Sequence, residues 1–150
     1  SENNTFNDEL QEQIDLVKWA DILYFQFPLY WYSVPAILKG WIDRVMAYHV
    51  FYGGGKSLEG KKWFCSTTTG GPKEKYADGD RTYSVETLLL HINEITPRLL
   101  KTEVIPLFAG YGINPMKDEE KETVVENLKQ HLNEHFIQST KEQTFICNPG

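Results

Sequence analysis

Three aromatic residues stand in a row at Tyr30-Trp31-Tyr32, with Leu29 ahead of them. Their faces suit a flat, apolar, aromatic ligand. The ordinary alternative is that the rings only pack a helix onto a sheet. Against it, Pro28 and Ser33 bracket the run, and the residues that follow already carry an apolar stripe of their own. A second stretch, Thr68-Thr69-Gly70-Gly71, offers different chemistry. Two glycines let backbone N–H groups approach a ligand closely, and two hydroxyls add adaptable donors. A plain turn would look the same in isolation; the aromatic run one strand earlier gives the tetrapeptide its interest.

A flavin ring combines both requirements, a flat apolar body and an edge of N and O acceptors. Other motifs give less. Gly55-Lys56-Ser57 resembles the end of a phosphate-binding loop, but Val50 stands where that pattern needs glycine, and no strand precedes it. No G-x-G-x-x-G occurs, which speaks against a dinucleotide fingerprint. His131-Leu132-Asn133-Glu134-His135 matches a zinc pattern by spacing. Apart from Cys147 no further ligand follows, so it reads as a solvated polar face and no metal is expected. Asp118-Glu119-Glu120 is an acidic first turn, favoured there by the helix dipole. Cys65 falls in an apolar run and Cys147 near the tail; both read as reduced thiols.

The elements that must position these residues follow from periodicity. Asn7 to Trp19 carries Leu10, Ile14 and Val17 at helical spacing. Asp21 to Phe27 is almost unbroken apolar or aromatic, the pattern of a parallel strand covered on both faces. Pro28 stops its ladder. Ser33 is placed to cap a helix with Pro35 in its first turn and Ile37, Leu38, Trp41, Ile42 and Val45 on one face. Lys39 and Asp43 form a possible i,i+4 pair on its wet side. Tyr48 to Gly60 is a loop around Gly53-Gly54-Gly55, and Lys62 to Thr67 is a second strand. Ser84 opens a helix with Val85, Leu88, Leu89, Ile92 and Ile95 on one side, which Pro97 should end or kink. Glu103 to Ala109 is a third strand, edge-placed because of Pro106. Asp118 to Phe136 is a long helix burying Val125, Leu128, Leu132 and Phe136, and residues 138–150 form a polar tail.

This alternation of helix and strand predicts an α/β fold, a parallel sheet between helices in three layers. With 150 residues, 41% hydrophobic and 24% charged, the chain reads as one domain with a real core. A net charge of -6 argues against nucleic acid or an anionic membrane as partner. No apolar run reaches the roughly 20 residues that span a bilayer. Without a signal-peptide pattern at Ser1, a cytoplasmic setting is expected.

FQFPLYWYSVPAILKGWIDRV, then STTTGG with a tyrosine five residues on, resembles the flavodoxin-like NAD(P)H:quinone oxidoreductases, the DT-diaphorase group, from about Ala20 to Phe136. The resemblance implies an open five-stranded parallel sheet of order 2-1-3-4-5, of which this chain would show strands three to five. It also implies FAD or FMN, NAD(P)H as co-substrate, a quinone as acceptor and a homodimer. Two-step hydride transfer would run from NAD(P)H to flavin to quinone. By position, Pro28, Leu29, Tyr30, Trp31 and Tyr32 would border the flavin ring, and Thr68, Thr69, Gly70 and Gly71 would hold its polar edge. Tyr76 would bind there too and serve catalysis. Phe51, Tyr52 and Gly53, with Trp31, would meet the substrate, the first three from the neighbouring subunit.

This sequence departs from the family in two places. Members that pair the tyrosine with a histidine place it six residues later, where Thr82 stands, and His91 does not match that position. The first strand and its phosphate loop have no counterpart ahead of Asn7. The expectation is therefore a single domain over 1–150, incomplete at its N-terminus. The flank beside Asp21 to Phe27 should be open, with both apolar faces exposed, and in need of cover from an upstream segment or a partner strand. Residues 1–150 alone are expected neither to fold stably nor to hold flavin tightly. The alternative function is a non-enzymatic protein of the same fold, a dimerising or ancillary subunit, for example of a potassium-efflux system.

Overall fold

In the computed structural model, which describes residues 6–80 and 82–137, the chain winds around a central strand, β2 (Lys62–Thr68). Trp63 to Thr67 are buried in succession, as a strand covered on both faces requires. β1 (Ile22–Pro28) pairs with β2 in parallel, from Ile22 opposite Lys62 to Pro28 opposite Thr68. On its other side β2 meets two short parallel strands, β3 (Glu103–Val104) and β4 (Phe108–Gly110). The sheet is open, and helices lie on both of its faces.

The single strand expected over Glu103 to Ala109 is thus two. Pro106 has no N–H for the ladder, and its carbonyl turns away to accept a hydrogen bond from His131 Nε2 at 2.8 Å. The edge placement inferred from Pro106 agrees with the sheet order.

Helix α1 (Asp8–Trp19) begins as the sequence predicts, with the Asn7 side chain accepting from Leu10 N at 2.9 Å and Ile14 and Val17 buried. Helix α2 (Ala36–Val45) begins differently. Ser33 does not cap it; Ser33 and Tyr30 instead exchange two backbone hydrogen bonds of 3.0 Å, and Pro35 occupies the cap position with no side-chain bond. The apolar stripe of α2 is narrower than its spacing suggests. Val45 is buried and Trp41 meets Phe25 edge-on at 5.9 Å, but Ile37 is 85% exposed. Lys39 and Asp43 do pair, at 2.6 Å.

Ser84 caps α3 (Val85–Leu88), accepting from Thr87 N at 3.1 Å. Its own N–H donates to Asp78 at 2.8 Å, which holds that carboxyl below its ordinary range. A π-helical turn, His91–Ile95, leads into α4 (Thr96–Leu99). Pro97, which the sequence predicts will end or kink the helix, sits in the first turn of α4, directly after the π turn that interrupts the regular helix. The wider π turn also rotates the register. Ile95 swings out to solvent while Asn93 and Pro97 turn inward.

Helix α5 (Asp118–Leu132), extended by a π turn over Asn133–Ile137, lies on the opposite face. Its expected buried stripe is only half-buried, and Val125 is exposed. His131 takes a place on the inner side, with its ring 5.6 Å from Phe64 and 5.7 Å from Phe108. His131 is therefore a packing residue, while Asn133 and Glu134 keep the solvated side of this stretch. Among the described residues no cluster of His, Cys, Asp or Glu could hold a metal. Cys147, with the rest of 138–150, lies outside the described residues. No described helix is long and apolar enough to cross a membrane.

Strand β1 also corrects its sequence reading, because burial alternates along it. Leu23, Phe25 and Phe27 enter the core with α1 and α2, while Ile22, Tyr24 and Gln26 face outward. Only one face is open, not both. Tyr24 nonetheless stacks on Phe64 at 4.9 Å and shares a hydrogen bond of 2.8 Å with Ser66 Oγ. Among the described residues no strand pairs with the free side of β1.

Cys65, fully buried in β2, makes the core's pH response testable. Burial pushes its thiol up to about 12, from an ordinary value of 9.0. A thiol that ionises more readily unfolded than folded stabilises fully below pH 9, and that contribution is lost as pH rises towards 12. Urea unfolding should show stability falling above pH 9 more steeply in the wild type than in Cys65→Ala. Equal slopes would contradict this.

Candidate functional site

Three strand ends converge on one rim of the sheet, and backbone hydrogen bonds stitch them together. From β1 comes Pro28 to Tyr32, from β2 Thr68 to Gly71, and from β4 Gly110 to Gly112. Leu29 N donates to Thr68 O at 2.8 Å, Thr69 N to Gly110 O at 2.9 Å, and Gly112 N to Gly71 O at 2.8 Å. Ile113 N adds a bond to Thr69 O at 3.0 Å. Gly112 takes φ of +67°, which a side chain would strain. In open parallel sheets this rim is where ligands bind.

Thr69 has a different task from the one its hydroxyl suggested. It is only 2% exposed, and its Oγ1 donates to Gly71 O at 2.7 Å. The hydroxyl is spent on shaping the loop and is not offered to a ligand. Gly70 and Gly71 supply the free donors: their N–H groups bond to no other described residue.

The aromatic loop carries the local strain. The two Tyr30–Ser33 bonds close a turn whose central residues, Trp31 and Tyr32, both take positive φ, 49° and 62°. Such turns favour Asn-Gly; bulky residues there cost about 1–3 kcal/mol each. Packing does not offset that cost for Trp31, which is 94% exposed. Tyr30 and Tyr32 are exposed as well.

Tyr76 ends a short helical turn, Lys73–Lys75, and lies against Gly71: a Cβ built on Gly71 would sit 3.4 Å from Tyr76 Cε2 and 3.5 Å from its Oη. Tyr32 and Tyr76 line one cleft of about 660 Å³, with Lys75, Thr82, Tyr83 and Leu88 among its walls. Two stretches far apart in sequence are thus brought to one site. Tyr30 and Trp31 line an adjoining cleft of about 480 Å³ with Lys39 and His91. Burial, and then the nearby Lys39 charge, hold the His91 imidazole below its usual value, so it is neutral at pH 7.

The loop expected to meet a neighbouring subunit's substrate lies away from these clefts of its own chain. Phe51 is 1% exposed and packs in the core. Tyr52 packs edge-to-face on Tyr48 at 5.3 Å, and neither it nor Gly53 lines these clefts.

Tyr111 was not singled out from the sequence, although an aromatic between two glycines at a strand end is a readable signal. Its ring lies 5.9 Å from that of Tyr76, with Lys73 Nζ over it at 6.0 Å. Burial first, then Glu86 and Tyr76, push its phenol above the ordinary value, so it stays neutral at physiological pH.

Residues 1–136 match the family model described as the flavodoxin-like fold. General stress protein 14 of Bacillus subtilis (strain 168) is 35% identical over 131 residues, covering 86% of this chain and 74% of that protein. The ribosyldihydronicotinamide dehydrogenase (quinone) of Mus musculus is 33% identical over 147 residues, covering 94% of this chain and 62% of its own length. The crystal structure of general stress protein 14 from Treponema denticola, in complex with FMN, superposes with a TM-score of 0.69 at 29% identity. It covers 82% of this chain and 69% of that one. The chain spans between about half and three quarters of the length of such curated relatives.

The stitching at Thr69 gives a direct test. Thr69→Val keeps the branched shape and removes the hydroxyl, and it should lower unfolding free energy by about 0.5–1.5 kcal/mol in urea titration. An unchanged midpoint would show that this hydroxyl does not shape the rim.

Proposed function

From the premise that this chain belongs to the flavodoxin-like fold family, we propose that it works as a flavin-dependent NAD(P)H:quinone oxidoreductase. The observation that carries the reading is the strained, exposed turn at Trp31-Tyr32, on a loop stitched through Leu29 N to the β2 loop that carries the free glycine N–H groups. A flat ring with acceptors along one edge uses both features. The name of the mouse relative supports the reaction class, and the FMN bound in the Treponema neighbour favours FMN over FAD.

The residues present fit a flavin. Pro28 to Tyr32 border its ring, with Trp31 and Tyr32 giving stacking area. The N–H groups of Gly70 and Gly71 donate to its polar edge, on a loop whose shape Thr69 fixes from behind and Thr68 anchors to β1. Bound flavin would supply the hydride chemistry between a nicotinamide donor and a quinone acceptor. Tyr76 offers its phenol O–H to negative charge developing at that edge. Thr82, six residues on, lines the same cleft but has no titratable group, so Tyr76 donates without a proton relay.

Two variants test this together. Trp31→Ala should weaken FMN binding about two- to tenfold by fluorescence quenching, from lost stacking. Tyr76→Phe should slow flavin reduction in stopped flow by less than the roughly 10²–10³-fold seen when the strongest such donors are lost. Weak binding is expected of residues 1–150 alone, so the result that would overturn the assignment is folded wild-type protein that shows no binding of FMN or FAD even at saturating flavin.

A homodimer completes the proposal. It is supported by the exposed apolar side chains of Trp31, Ile37 and Tyr48, which a monomer would leave in water. Light scattering at micromolar concentration should give twice the chain mass. A monomer with full activity would refute it.

A further inference from the structure

We infer that Tyr111 is a positioning residue, holding the Tyr76 ring against Gly71 at the rim. The inference rests on the proposed function only for its kinetic consequence; its geometric part stands on the fold.

Tyr76 has few restraints of its own. It follows the turn Lys73–Lys75, its N–H donating to Lys73 O at 2.9 Å, and exposed residues come after it. Its Oη forms no hydrogen bond with a described residue, and the loop it faces, Gly70-Gly71, has no side chains to grip it. Tyr76 touches the edge of the core, and its ring partner is Tyr111, tilted at 44° with ring centroids 5.9 Å apart, within the range where aromatic pairs attract.

Tyr111 is in turn well fixed. Gly110 is paired in β4 and buried before it. After it, Gly112 N bonds to Gly71 O and Ile113 N to Thr69 O. The same loop that Tyr76 faces therefore holds the residue that packs behind it. Lys73 closes the circuit, since its Nζ lies over the Tyr111 ring while its backbone carbonyl holds Tyr76 N. Loop, tyrosine pair and turn form one unit, and Tyr111 is its rigid member. A ring, not a hydroxyl, does this work.

The experiment uses the whole chain labelled with 3-fluorotyrosine and read by fluorine NMR, the Tyr76 signal being assigned by Tyr76→Phe. Tyr111→Ala should narrow the Tyr76 line as its ring gains motion, and Tyr111→Phe should keep it broad. Tyr111→Leu, which retains bulk without the ring, should narrow it too and serves if the alanine variant unfolds. In FMN-loaded protein, Tyr111→Ala should slow flavin reduction about two- to tenfold. Tyr76→Phe should then cost less in that background than in the wild type, the non-additivity of residues acting as a unit. An unchanged Tyr76 line with strictly additive rates would overturn the inference. A narrowed line in a protein that binds no flavin would uphold the positioning role while removing the proposed function.

Discussion

The parallel ladder between β1 and β2 is the constraint on which the site depends. Its seven pairs run out together at Pro28 and Thr68, so both chains leave the sheet at the same level and in the same direction. Leu29 N then reaches Thr68 O, one residue past the ladder on one side and at its last residue on the other. A register slip of one residue would turn Phe25 and Phe27 out of the core and separate the aromatic turn from the glycine loop. The burial of Leu23, Phe25 and Phe27 against α1 and α2 opposes such a slip. Core packing and ligand-site geometry are thus the same specification, written at opposite ends of one strand.

The rim shows how stability is traded locally. Thr69 is buried and bonded, Gly110 and Gly112 are stitched to the β2 loop, and this part of the site is rigid. The Trp31-Tyr32 turn is the converse, with two bulky residues in a conformation that favours glycine and with little cover. Strain of this kind persists where neighbouring structure fixes it, here the twin Tyr30–Ser33 bonds and the start of α2 at Ala36.

Much of this was legible in the sequence, for physical reasons that also explain what was not. KWFCST announced a buried strand because continuous burial needs continuous apolarity, and Ser84 announced its helix because a short polar side chain satisfies an orphan N–H. The aromatic run and Thr-Thr-Gly-Gly lay where the topology puts a ligand rim. The failures share a cause, which is that local pattern does not know its neighbours. Ser33 looked like a cap, but Tyr30 claimed its backbone first. Ile95 had helical spacing until a π turn shifted the register. His131 looked wet because nothing in a pentapeptide shows that Phe64 and Phe108 lie beneath it. Tyr111 was missed because its importance lies in a partner 35 residues earlier, Tyr76.

The sheet's connectivity also governs how the chain finds this arrangement. Each ladder joins residues about 40 apart: Ile22 to Lys62, Lys62 to Glu103, Ser66 to Phe108. Among the described residues no strand pair is a hairpin that could nucleate the sheet cheaply. Closing a loop of that length costs about 3 kcal/mol of chain entropy before any pair contributes, and two such closures share the single strand β2. Until β2 is in place neither flank has a partner. Folding of this chain is accordingly slow for its size and highly cooperative, with Trp63 and Phe64 in β2 as the residues on which collapse and topology must agree.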